Sequence, residues 1–340
     1  VTPQYQLIVS GTDITADVSG RAGVIEWSDT VDEGSDALQI TLQDSDNLLA
    51  VPKAGAKVEL AAGYDGQLTR VGSYTVESTE ISGPPDRLSV SCTSAPVAQA
   101  GSIAGRKSKS WEDTTLGDIA QSIAGNLSST LAIAPELASI TITNAQQVDQ
   151  SDTDFLLRLV RRYGGYLKFA DGRLVIASEG SGTGTGGASL TVALMLSDVT
   201  SWKVSAGGKA QALKKVKVKY HSFETGDTGE VEAEIKQSAS AKGFSEDAAW
   251  LATTESAFVA PTTAASEDEA KAQAKTAASR IGRSTRKFDL TLPGRLDIVA
   301  GGKVLLSGFR DGVNGEWLVK EVKHRLDSSG WSMSVSGEGA

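Results

Sequence analysis

The sequence predicts an α+β fold, mainly antiparallel β: two small β-barrel domains, an inserted helix–helix–hairpin unit, and a further helix within the second barrel region. Three observations carry this expectation. Short alternating runs broken by Gly, Asp and Pro fill residues 1–98 and return from about residue 189. Between them, residues 105–178 change to helical spacing. Residues 179–188 then hold a Gly/Ser/Thr run that reads as a flexible linker. A chain of 340 residues exceeds the usual ~100–200 of one domain, so several units are expected. The expected division is 1–104 first β-barrel, 105–178 inserted α+β domain, 179–188 Gly-rich linker, and 189–340 second β-barrel interrupted by a helix at about 266–283.

In chain order, Tyr5–Val9, Ala37–Leu42 and Lys57–Ala61 have strand composition, and Tyr64-Asp65-Gly66-Gln67 supplies a turn before the alternating run Gly72–Ile81. Near residue 110 the period changes. Thr114 or Thr115 can cap a helix that places Leu116, Ile119, Ala120, Ile123 and Leu127 on one face, with Pro135 beyond its end. A second helix starts at Ser151-Asp152-Thr153-Asp154, whose carboxylates suit the positive end of the dipole. Its stripe is Phe155, Leu156, Leu159, Val160 and Tyr163, and Gly164 stops it. Asp171-Gly172, between Tyr166–Phe169 and Arg173–Ile176, marks a hairpin.

After the linker, strands are expected at Leu190–Leu196, Thr200–Val204, Val216–Tyr220 and Gly229–Ile235. Ser266 with Glu269 forms a capping box, and Glu267 with Lys271 has the favourable i,i+4 order. The chain closes with strands at Phe288–Leu292, Lys303–Ser307, Glu316–His324 and Ser332–Ser336.

Composition narrows the function. The net charge of −9 argues against a broad basic surface for nucleic acid. Arg106-Lys107-Ser108-Lys109 reads as a Gly/Ser-rich loop, and Lys214–Lys219, alternating with Val216 and Val218, reads as the solvated face of a strand. No apolar run approaches the ~20 residues of a membrane helix. The start, Val1-Thr2-Pro3-Gln4, has no signal-peptide pattern, so residence in a cytoplasm after synthesis is expected. The single Cys92 lies in an alternating strand run and reads as a buried thiol.

No catalytic, cofactor-binding or metal-binding residue is assigned. His221 and His324 lie far apart with no ligand pattern around them, and His324 reads as a surface residue at a strand end. The glycine run lacks G-x-x-x-x-G-K-[ST], and no G-x-S-x-G elbow exists. Asp152 and Asp154 could mimic a glycosidase pair, and Glu267, Asp268 and Glu269 a metal cluster; helix-start charge explains both groups.

Three stretches, in order, carry a family pattern. They are Arg106–Ile119 with Ile123-Ala124; Gln150–Leu159 with Tyr163-Gly164 and Gly172–Ile176; and Leu292-Pro293-Gly294-Arg295 with Ala300–Val304, Gly315–Val319 and Val322–Leu326. Together they resemble the phage late control gene D proteins, the contractile tail baseplate hubs related to the Mu and T4 hub proteins and to the N-terminal region of VgrG spikes. The resemblance spans roughly residues 105–335.

It implies a structural, non-enzymatic role. The expected assembly is a homotrimer whose six barrels form a ring between the sixfold tail tube and the threefold central spike. DNA would pass through its lumen without specific binding. Partners would be tube, spike and other baseplate proteins, in a virion tail or tail-like particle assembled in the bacterial host cytoplasm. VgrG spikes continue into a needle region whereas this sequence stops at Ala340, so a separate spike polypeptide is expected. Two other classes stay open at this level. A carbohydrate- or receptor-binding tail protein would use the β content and Trp27, Trp111, Trp202, Trp250, Trp317 and Trp331, although these are scattered. A cell-wall hydrolase would need a carboxylate pair that only a fold could assemble.

Overall fold

The computed structural model describes residues 2–21, 23–31, 35–95, 105–207, 213–222, 225–236, 256–261 and 263–340. Trp250 lies outside them.

The first β unit contains β1 (Pro3–Val9), β2 (Thr12–Asp13), the short helix α1 (Thr15–Ser19), β3 (Gly23–Thr30), β4 (Ala37–Gln43), β5 (Lys57–Tyr64), β6 (Gln67–Ser82) and β7 (Arg87–Thr93). Period-2 alternation sends Ile25, Trp27, Leu38, Ile40, Leu42, Leu88, Val90 and Cys92 into one core, with Leu7, Val58, Leu60 and Tyr74 from the other strands. The β5–β6 turn sits where the sequence places it, with Asp65 at φ 50° and Gly66 at φ 87°.

The insert is β8 (Lys107–Thr115), α2 (Leu116–Asn126), β9 (Thr130–Ile133), α3 (Pro135–Ala138), β10 (Thr141–Gln150), α4 (Asp152–Arg162), β11 (Gly165–Ala170) and β12 (Arg173–Ser178). Thr115 caps α2 by accepting from the Asp118 amide, and Ser151 caps α4 by accepting from the Asp154 amide. The α4 stripe Phe155, Leu156, Leu159 and Val160 is buried against Leu116, Ile119, Ile123 and Leu127 of the α2 segment. Each large side chain so buried contributes about 1.5–3 kcal/mol before entropy is counted. Asp171 and Gly172 make the β11–β12 turn with φ of 51° and 72°. The Arg106–Lys109 stretch is not a loop: from Lys107 it is β8, paired antiparallel with β10. Local composition hid this because its partner lies more than thirty residues away.

The last region holds β13 (Thr191–Met195), a 3-10 turn (Leu196–Asp198), β14 (Ser201–Ala206), β15 (Leu213–His221), β16 (Thr228–Glu234), β17 (Ser256–Val259), α5 (Glu267–Ser284), β18 (Arg286–Pro293), β19 (Lys303–Ser307), β20 (Gly315–Asp327) and β21 (Gly330–Gly339). β15, β16 and β17 form their own three-stranded sheet, covered by Ala270, Ala274 and Ala278 of α5. The helix and these strands therefore make a layer of their own beside the second β unit.

The protein is thus β-rich α+β with mostly antiparallel pairing, and no closed barrel forms among the described residues. One sheet of 13 strands crosses both β units. Its junction is β20, which pairs with β3 through Glu321↔Thr30 to Leu326↔Ile25 and with β21 on its other side. The stretch expected as a linker is anchored at its start. Glu179 is buried, and its carboxylate meets Lys320 at 2.5 Å and Arg280 at 2.7 Å.

Candidate functional site

The prominent feature is a surface. The outward positions of the shared sheet run Ser201, Lys203 and Ser205 on β14; Lys287, Asp289 and Thr291 on β18; and Ser332, Ser334 and Ser336 on β21. They continue through Glu321, Lys323 and Arg325 on β20, Glu26 and Ser28 on β3, Gln39 and Thr41 on β4, and Ser89 and Ser91 on β7. Hydroxyl groups dominate, and the charges around β20 are paired. Arg325 bonds Glu26 at 2.6 Å and Asp327 at 2.8 Å, and Lys323 meets Glu321 at 2.8 Å. A shallow groove of about 410 Å³ crosses this face at the junction of the two units, floored by Trp27, His324 and Met333.

Behind that groove His324 is buried, not at the surface as expected. Its ring stacks on Trp27 (centroids 4.6 Å, 13° between planes), and Trp331 Nε1 donates to its Nδ1 at 3.3 Å. Burial pushes its pKa down to about 4, so the imidazole is neutral and accepts this bond. Locally His324 reads as the exposed end of an alternating strand; the pairing of β20 with β3 turns the His324 side into core. The hairpin tip of β20 and β21 extends this aromatic group into the first unit. Trp331 stacks on Tyr64 at 5.1 Å, and the Tyr64 hydroxyl donates to the Gly294 carbonyl at 2.9 Å.

A second junction binds the insert to the sheet. Lys168 on β11 is almost wholly buried and donates to Asp29 of β3, with Asp36 at 3.6 Å. Burial opposes its charge, but Asp29 and Asp36 more than offset this and hold the ammonium above the usual lysine value. For Asp36, burial outweighs Lys168 and raises the carboxyl well above the ordinary carboxylate range, with Asp29 adding repulsion. The other Asp29 oxygen accepts from the Ala300 amide at 2.8 Å. Three segments far apart in sequence thus meet at one charged knot.

The third junction is Glu179. Burial alone would raise its pKa; Lys320 and Arg280 overcome that and hold it below the usual glutamate value. Arg283 bridges onward to Glu338 at 3.0 Å, tying α5 to β21.

The other residues weighed from sequence have structural positions. Asp152 is buried at the start of α4, where it accepts from Lys107 (2.6 Å), Asn126 (2.9 Å) and Gln147 (3.0 Å); Asp154 is exposed. Glu269 accepts from the Ala265 amide at 2.8 Å and from Gln273, and lies 3.3 Å from Arg162, so it joins α5 to the insert. Glu267 pairs with Lys271 at 2.8 Å. Cys92 is buried, which pushes its thiol up to about 12. Lys215 and Lys217 face Glu232 and Glu230 across β15 and β16. His221 ends β15, far in sequence from His324. Among the described residues no group of three or more His, Cys, Asp or Glu could hold a metal ion. No helix there is long and apolar enough to cross a membrane.

A continuous, hydroxyl-rich sheet face thus crosses both β units, with buried charged knots where the units meet. Residues 35–330 match the family model described as the phage tail baseplate hub (GPD). The chain belongs to this family. The probable baseplate hub protein of Escherichia phage P2 is 28% identical over 369 residues, covering 99% of this chain and 93% of the relative. Among solved structures, the 43 kDa tail protein of prophage MuSo2 from Shewanella oneidensis has TM-score 0.70 at 15% identity, covering 99% of this chain and 98% of that one. The E. coli c3393 protein, a type VI secretion component described as similar to the T4 tail proteins gp27 and gp5, has TM-score 0.52 at 11% identity, covering 94% of this chain and 73% of that one. These two share the fold.

Proposed function

We propose that the chain is the structural baseplate hub of a phage or phage-like contractile tail. It works as a homotrimer between the sixfold tail tube and a threefold central spike, and leaves a channel through which DNA passes without specific binding. Each chain contributes two barrel-like β units. The working division is 1–104, the 105–178 insert, the 179–188 connection and 189–340. Its place is the virion tail baseplate, assembled in the host cytoplasm, and its role is mechanical, without catalysis, cofactor or metal.

The observation that supports this best is the single sheet running unbroken across both β units. A covalent repeat of two sheet-sharing units lets three chains present six similar faces, which is how a threefold object can meet a sixfold one. The hydroxyl-rich face adds support: it carries few cations, and Lys323 and Arg325 already meet carboxylates, so a passing polyanion is held weakly there. The test is the mass of the full chain with tube and spike proteins present, by light scattering. Three copies per assembly are expected; a chain that stays monomeric in that mixture overturns the proposal.

A further inference from the structure

Two segments of the shared sheet have one flank without a partner strand among the described residues. Among the described residues β14 pairs only with β18. At the other segment, β5 covers β6 as far as Thr75, and Val76 exchanges backbone bonds with Gly55 and Ala56. Past that point Glu77 is bulged, and among the described residues Ser78–Ser82 of β6 pair only with β7. Between the two segments the order is β14, β18, β21, β20, β3, β4, β7, β6, and every neighbouring pair is antiparallel.

That strand number is even, so β14 and β6 run in opposite directions. A second copy set against either flank therefore continues the antiparallel order without a reversal. The two flanks are different surfaces, so the contact is head-to-tail, the kind that closes into a ring when the rotation fits.

The side chains agree. On the outward face Lys203 stands exposed between Ser201 and Ser205, and Glu80 stands exposed between Ser78 and Ser82. Neither forms an ion pair among the described residues, although Asp289 lies opposite Lys203 in the register. On the other face Trp202 is 39% exposed and Ile81 is 64% exposed. Large apolar side chains beside open strand edges invite pairing unless something covers them.

We propose that β14 of one copy pairs antiparallel with residues 78–82 of the next, bringing Lys203 toward Glu80 and Trp202 against Ile81. This rests on the trimeric hub reading and names the edges that close the ring.

Hydrogen exchange of the full chain tests it, at a dilution where it is monomeric, at high concentration, and with tube and spike proteins. Segments 78–82 and 201–206 are expected to gain protection together, by at least about tenfold, as copies associate. Lys203→Glu and Glu80→Lys should each weaken association about tenfold, and the two combined should restore it to within a few-fold. Association that protects neither segment overturns the pairing and leaves the trimeric hub standing, as does a combined variant weaker than either single one. Protection that appears only when a different protein is bound assigns these edges to that protein and also overturns it. A chain that remains monomeric even with tube and spike overturns both readings.

Discussion

His324 makes the junction of the two β units sensitive to acid in a calculable way. Its ordinary pKa of 6.5 falls to about 4 in the fold. The unfolded chain therefore binds the extra proton first, and stability present above pH 6.5 is lost as pH falls toward 4. At about 1.4 kcal/mol per pKa unit, the whole shift is worth about 3 kcal/mol, and about 2 kcal/mol of it is lost by pH 5. The perturbation is His324→Gln, which does not titrate and retains an acceptor for Trp331 Nε1. At pH 7.5 this variant should be less stable by about 1 kcal/mol, because the stack on Trp27 is lost. At pH 5 the order should reverse, with the variant more stable. Urea unfolding followed by tryptophan fluorescence reports it, since Trp27 and Trp331 flank the ring. Other groups titrate in both proteins, so only their difference matters. Parallel pH curves for parent and variant would refute the reasoning.

The charged knot titrates the opposite way. Asp36 holds its proton more tightly folded than unfolded, so its contribution is full below the ordinary carboxylate pKa and falls as pH rises; Asp36→Asn should remove that fall, read as midpoint against pH. Asp29→Asn leaves the buried Lys168 ammonium without its main partner and should cost about 3–5 kcal/mol in urea unfolding, whereas Asp29→Asn with Lys168→Met should recover much of it. Gly294→Ala puts a Cβ 2.1 Å from the Trp331 ring; a loss of about 2 kcal/mol or more and a red-shifted tryptophan emission are expected, and an unchanged spectrum counts against the packing described. Thr115→Ala should cost about 1 kcal/mol by freeing the Asp118 amide, seen as a lower thermal midpoint.

The local grammar of this protein is legible in its residues. Caps at Thr115, Ser151 and Ser266, the Asp171-Gly172 turn and the alternating strands all stand where propensity and period place them, because those signals act within a few residues. Alternation also says that a strand buries one face. It does not say which strand lies beside it, since register and neighbour are set by contacts across long loops. Only the tertiary structure could therefore join β20 to β3 across some 300 residues, turn His324 from a strand end into core, and take β15 and β16 into a separate layer. Asp29, Asp36, Lys168 and Glu179 carry no local signal for the same reason: each is ordinary among its sequence neighbours and becomes a junction only when distant segments bury it together. The family resemblance was carried by short ordered motifs, but the continuous sheet and its two open edges belong to the fold alone.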